Sequence, residues 1–157
     1  MRKVTALLSI AFILLLGFMG WFYLGGTLRA QPYIQTAQAS DYPEAFASIR
    51  RLVYAGQSPQ ILGGDGIGES PDAYTLVDIT VTLKNPGLFP AEWLHVSVAP
   101  ADGDIAVYAL TGEGSDIAPR DSGTVNIKLI TTARPDAARA VTVEYYVYGM
   151  KREITVR

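Results

Sequence analysis

The stretch VTVEYYVYGMKREITV, residues 141–156, decides the fold. Val141, Val143, Tyr145 and Val147 alternate with Thr142, Glu144, Tyr146 and Tyr148, which is the period of two of a half-buried strand. Taking Gly149 and Met150 as a two-residue loop, with Gly149 supplying the positive φ of a type II′ turn, pairs Tyr148 with Lys151 and Val147 with Arg152. Tyr145 then meets Ile154 and Val143 meets Val156 on the apolar face, while Tyr146 meets Glu153 and Glu144 meets Thr155 on the other. Turn chemistry and apolar alternation point to the same hairpin.

The same period recurs upstream. Val77, Ile79, Val81 and Leu83 alternate with Asp78, Thr80, Thr82 and Lys84, and Asn85-Pro86-Gly87 ends the run with strong turn chemistry. Leu94, Val96 and Val98 continue in a second strand, Ile105 to Leu110 in a third, and Val125, Ile127 and Leu129 in a fourth. A further short strand is expected at about residues 59–62. Six or seven short strands separated by Gly, Pro and Asp turns predict an all-β, antiparallel, immunoglobulin-like sandwich over residues 74–157. Such a domain buries an adequate core without disulfides, and the chain has no cysteine.

Leu76 to Gly87, the later Ile117-Ala118-Pro119-Arg120-Asp121-Ser122-Gly123 before a strand, and the two closing strands together resemble the CARDB-type immunoglobulin-like accessory domains of bacterial exported proteins. The resemblance implies a non-catalytic role in adhesion, spacing or assembly. It departs from the usual context, because here the domain is single, membrane-tethered and without an attached enzyme.

Residues Val4 to Leu28 form 25 consecutive positions without a charge, rich in Leu, Ile and Phe and preceded by Arg2 and Lys3. As a helix this run would extend about 37 Å, enough to cross a hydrocarbon core of about 30 Å with some tilt. It is too long for the apolar core of a cleavable signal; the best small-residue cut site, Ala37-Gln38-Ala39, lies well beyond it, and a cut after Ala30 would place Leu28 and Arg29 in a poor motif. Residues 1–28 are therefore read as an uncleaved single-span signal-anchor, with Trp21, Phe22 and Tyr23 suited to an interfacial belt. Arg2 and Lys3 on one side against Arg29 on the other put the amino terminus in the cytoplasm and the remaining 129 of the 157 residues outside a bacterial cytoplasmic membrane. Gly17, Gly20, Gly25 and Gly26 offer close helix contact without a clean four-residue spacing.

Residues 29–73 read as a stalk. It opens with the polar run Arg29 to Ser40, and Asp41-Tyr42-Pro43-Glu44 resembles a capping arrangement for a helix over about 42–55 ended by Gly56. Phe46, Ile49 and Val53 give that helix a narrow apolar stripe, which would lie on the sandwich or, with Arg50 and Arg51, on lipid. The glycine-rich segment 63–72 reads as a flexible linker. No apolar strand leads into it and no helical pattern follows, so it does not read as a phosphate loop.

Charge and chemistry narrow the function classes. Setting aside Arg2 and Lys3 leaves 11 basic against 15 acidic residues, a net charge of −4 that excludes a nucleic-acid binder by bulk electrostatics. His95 is the only histidine, and strand parity points it to solvent rather than toward a base's role. Asp102, Asp104, Asp116 and Asp121 match no defined calcium loop, and a lone histidine without thiols disfavours zinc and copper. No catalytic residue, metal or cofactor is expected. Aromatic residues carry the remaining signal: Tyr146 and Tyr148 on the outer face, joined by Trp93 and Tyr108, form the candidate binding surface. Trp93 shares the outward parity of His95, whereas a bulge near Ala91 and Glu92 would turn it inward. The expected role is a protein-interaction or structural subunit of the envelope; the alternative is a module that stacks these aromatics on cell-wall glycan.

Overall fold

Alternation of inward and outward residues carries through the long strands of the computed structural model, which describes residues 2–24, 27–63, 66–134 and 137–157 and, within its first helix, the side chains of residues 7–20. That helix, α1, spans Arg2–Leu24. After it come β1 (Arg29–Gln38), α2 (Pro43–Tyr54), β2 (Gln60–Ile61), β3 (Thr75–Lys84), β4 (Glu92–Ala99), β5 (Asp104–Thr111), β6 (Ser122–Thr131), β7 (Ala140–Val147) and β8 (Met150–Val156). The strands form two sheets, ordered β1-β3-β6-β5-β2 and β4-β7-β8, with every pairing antiparallel. They stack into a sandwich whose core joins Val77, Ile79, Val81 and Leu83 of β3 to Val141, Val143, Tyr145 and Val147 of β7.

The sheet begins earlier than the sequence predicts. Residues 29–38, expected as stalk, form β1 and pair with β3 along their whole length, from Arg29 opposite Lys84 to Gln38 opposite Thr75. The reason for the difference is geometric. β1 is an edge strand that meets the smaller opposing sheet only at β8, so nearly all of its residues are exposed and no apolar alternation marks it. Leu28, expected as the last residue of the apolar run, is instead a sandwich core residue, 1% exposed. Its N–H donates to the Tyr145 hydroxyl at 3.0 Å, so the junction is fastened across both sheets.

The closing hairpin is also shifted. Val147 pairs with Met150 and Val143 with Ile154, two residues from the expected register. The loop is Tyr148-Gly149, with φ of 54° and 69°, and two positive angles are what a type I′ turn requires, where the expected type II′ turn needs one. A slip of two keeps each residue on its expected face, so the core assignments survive it.

α2 matches the helix expected over 42–55, and Gly56 at φ 66° ends it. The capping arrangement does not form: Tyr42 is the N-cap and makes no side-chain capping bond, while Asp41 belongs to a preceding 3₁₀ turn. Phe46 and Ile49 settle on the outside of the five-stranded sheet, in a second apolar cluster with Ile67, Tyr74, Ile105 and Ile130. The glycine-rich segment takes part in this packing. Ile67 is buried, its carbonyl accepts from the Tyr54 hydroxyl at 2.9 Å, and the Gly68 N–H donates to the Tyr74 hydroxyl at 2.6 Å. Gly64 and Asp65 of the expected linker lie outside the described residues.

Apart from Ser9, the described side chains of α1 are apolar and exposed around its circumference, among them Leu7, Leu8, Ile10, Phe12, Leu14 and Met19. Among the described residues no helix is long and apolar enough to cross a membrane. Trp21, Phe22 and Tyr23, read as an interfacial belt, have side chains outside the described set, and Gly25 and Gly26 lie outside the described residues.

The end of the sandwich next to Leu28 is organised by a buried asparagine. Asn85, 2% exposed, donates through Nδ2 to the carbonyls of Phe89 at 2.7 Å and Ile117 at 3.1 Å, and its Oδ1 accepts from the Gly87 N–H at 2.9 Å. The Asn85-Pro86-Gly87 turn is thereby tied to the β5–β6 connection. Asn85→Ala is expected to cost about 1–3 kcal/mol by leaving buried polar groups unpaired. Asn85→Asp is expected to cost more, because a carboxylate would face carbonyl oxygens. Urea midpoints of the full chain in mild detergent give the order.

Candidate interaction face

Trp93 is held outward by three local features. A register shift between Glu92 and His95 bulges β4 against β7, Trp93 takes φ 55°, and its backbone N–H donates to Asp116 Oδ1 at 2.8 Å. The neighbouring backbone is gripped by the β5–β6 loop: Leu94 N–H donates to the Ser115 carbonyl at 3.1 Å, and Gly114 N–H donates to the Leu94 carbonyl at 2.7 Å. The bulge foreseen near Ala91 and Glu92 is therefore present, yet it turns the indole out rather than in, and Trp93 is 71% exposed. A bulky residue at positive φ costs on the order of 1–3 kcal/mol, so the surrounding bonds must hold it there.

Tyr146 meets Trp93 edge-on, with ring centroids 6.1 Å apart and an interplanar angle of 67°. The strip around this pair is polar. His95 Nδ1 lies 2.5 Å from Glu113 Oε1, Lys151 Nζ 2.8 Å from Glu144 Oε1, and the Thr142 and Thr155 hydroxyls are 3.0 Å apart. His95 is solvent-facing, as its parity predicts.

The other two candidates are elsewhere. Tyr148 occupies the β7–β8 turn and packs on Phe89, with centroids 4.1 Å apart. Tyr108 lies on the outside of the opposite sheet, half-buried in a groove of about 540 Å³ that Tyr42, Asp78 and Lys128 also line. Burial and the nearby Asp78 carboxylate push the Tyr108 hydroxyl pKa above its ordinary 10.0. Asp78 accepts from Asn126 Nδ2 at 2.6 Å and pairs with Lys128 at 3.3 Å. The structure thus brings Trp93 and Tyr146 together, leaves Tyr148 at the edge of that face, and separates Tyr108 from it.

Three of the four acidic residues weighed for calcium, Asp104, Asp116 and Asp121, have other partners. Asp104 is gripped by Arg139, with Nη2–Oδ1 at 2.6 Å and Nε–Oδ2 at 2.9 Å, and both side chains are almost wholly buried. Burial alone would raise the Asp104 pKa, but hydrogen bonds from Arg139, Thr131 and the Ala101 N–H outweigh it and hold the carboxyl below its ordinary 3.8. Asp116 serves Trp93, and Asp121 Oδ1 accepts from the Ser122 N–H at 2.7 Å. Among the described residues no group of three or more acidic or imidazole side chains could hold a metal ion. The buried pair was missed by sequence reasoning, although Arg139 shares the inward parity of Val141 and Val143, and an inward arginine demands a partner.

The chain matches no protein-family description and no curated protein. Solved structures similar to it include the GAE domain of GGA2p from Saccharomyces cerevisiae, 14% identical over 57% of this chain and 89% of that one, with a TM-score of 0.42. An uncharacterised β-sandwich protein from Clostridium difficile 630 is 9% identical over 83% of this chain and 85% of that one, with a TM-score of 0.31. The archaeal flagellum of Methanospirillum hungatei strain JF1 is 13% identical over 99% of this chain and 92% of that one, with a TM-score of 0.29.

Proposed function

We propose that this protein is a membrane-anchored, extracytoplasmic and non-catalytic subunit that binds another protein of the cell envelope through the outer face of β4 and β7. The observation that carries the reading is Trp93, kept at positive φ by the β4 bulge and Asp116 and displayed beside Tyr146. A fold that sustains local strain to present an exposed indole favours a binding role, and exposed Trp and Tyr are the residues that dominate binding energy. The weak CARDB resemblance, with its Asn85 turn, is consistent with an assembly role. The anchor reading rests on the uncharged run Val4–Leu28, of which α1 extends through Leu24, and on its all-round apolar surface, which needs lipid or protein around it. Arg2 and Lys3 set the amino terminus inside.

The test is a photo-crosslinking residue in place of Tyr146 in full-length protein in native cells. One protein recovered in near-equal amount is the expected result. Trp93→Ala should weaken that complex about 30-fold, the loss of a ~2 kcal/mol hot spot. Recovery of glycan fragments instead would favour the stacking module and sink the subunit reading.

A further inference from the structure

We infer that the end of the sandwich nearest α1 rests in the headgroup layer of the membrane, with Leu88, Tyr148 and Met150 entering the interface and Arg29, Lys84 and Arg120 facing its phosphates. This rests on the anchor reading above and adds to it a second, peripheral lipid contact, distinct from the Trp93–Tyr146 protein face.

The pairing fixes which groups share that end. Arg29 at the start of β1 is opposite Lys84 at the end of β3, which is opposite Ser122 at the start of β6. The Leu28 N–H reaches the Tyr145 hydroxyl near the end of β7, so the Tyr148-Gly149 turn belongs to the same end. Three residues lie between Leu24, the last of α1, and Leu28, so four residue steps give a reach of at most about 14 Å whatever path they take. An anchor ending at Leu24 therefore holds this end, and no other, close to the bilayer surface.

What the end exposes suits that position. Leu88 is 41%, Tyr148 55% and Met150 40% exposed, with Phe89 packed behind Tyr148. Arg29, Lys84 and Arg120 are exposed around them, together with the acidic Asp121. Amphipathic rings favour the headgroup level, and basic side chains there attract anionic lipid. At the opposite end the turns at 100–104 and 131–134, where the control position lies, expose no large apolar side chain, and Ile61 of the nearby β2 is the exposed apolar residue beside them.

The chain has no cysteine, so single thiols report cleanly. Leu88→Cys, Met150→Cys and, at the opposite end, Asp102→Cys are each labelled with a polarity-sensitive fluorophore in the full chain. The chains are reconstituted in vesicles of equal parts phosphatidylcholine and phosphatidylglycerol. Labels at 88 and 150 should shift to the blue, lose most of their emission to a headgroup-level nitroxide lipid and resist aqueous iodide, whereas the label at 102 should do the reverse. If all three behave like 102 while the chain stays in the vesicles through an alkaline carbonate wash, the lipid contact is overturned and the anchor stands. Labels at 88 and 150 shielded from both quenchers would also overturn it, because protein would then cover the end. A chain washed off by carbonate overturns the anchor and this contact with it.

Discussion

Arg139→Met is expected to destabilise the fold by about 3–5 kcal/mol, the largest effect of any single exchange at a polar residue here. The guanidinium makes bidentate contact with Asp104 and also donates to the Ala137 carbonyl at 3.1 Å, where β5 and the entry to β7 close one end of the sandwich. Removing it leaves a carboxylate desolvated and without its counter-charge. The double variant Asp104→Leu with Arg139→Met should recover most of the loss, because an apolar pair of similar volume need not overcome the desolvation of two ions. Chemical unfolding of full-length protein in detergent, followed by circular dichroism, measures both.

The same pair sets a pH dependence of definite sign. Because the folded Asp104 pKa lies below the ordinary 3.8, the folded state holds the charged form more strongly than the unfolded state does. This contribution is fully present above the unfolded value and is lost as the pH falls through the folded one. The wild type should therefore lose stability on acidification in that range. The Leu and Met double variant should lose less over the same range.

Leu28→Ala carries the second largest expectation, a loss of about 2–5 kcal/mol, as for other buried leucines truncated in a packed core. Leu28 belongs to the main core cluster with Leu83, Val125 and Tyr145. The hydroxyl that accepts its N–H is on Tyr145, a fully buried side chain whose pKa is raised by that burial and which therefore stays a neutral acceptor at physiological pH. Were Leu28 instead the last lipid-facing residue of the anchor, the exchange would leave the unfolding midpoint unchanged. Thr27→Ala, at an exposed neighbouring position, is the control that should be silent.

The strands with one buried face were legible because burial writes itself as alternation. Val77 to Leu83 and Val141 to Val147 are the clearest cases. β1 was not legible for the converse reason. Its pairing is with β3 alone and only Ala30 reaches the main core, so Gln31, Tyr33 and Gln35 carry no more apolar signal than a linker would. The hairpin register turned on whether Tyr148 would accept a positive φ, a bias that a tyrosine does not announce. On the candidate face, parity alone pointed Trp93 outward, but its partner Asp116 comes from a loop 23 residues away, and such contacts leave no local pattern. Tyr108 stands with the other aromatics in the sequence because composition marks aromatics without saying which sheet they join.

Impermeant maleimide labelling of the Asp102→Cys protein in intact cells, combined with an alkaline carbonate wash of the membranes, tests the membrane-anchored, outward-facing reading most directly. Labelling before lysis, with the chain retained in the washed membranes, is the predicted result. Labelling only after lysis would contradict the orientation, and release into the wash would contradict the anchor.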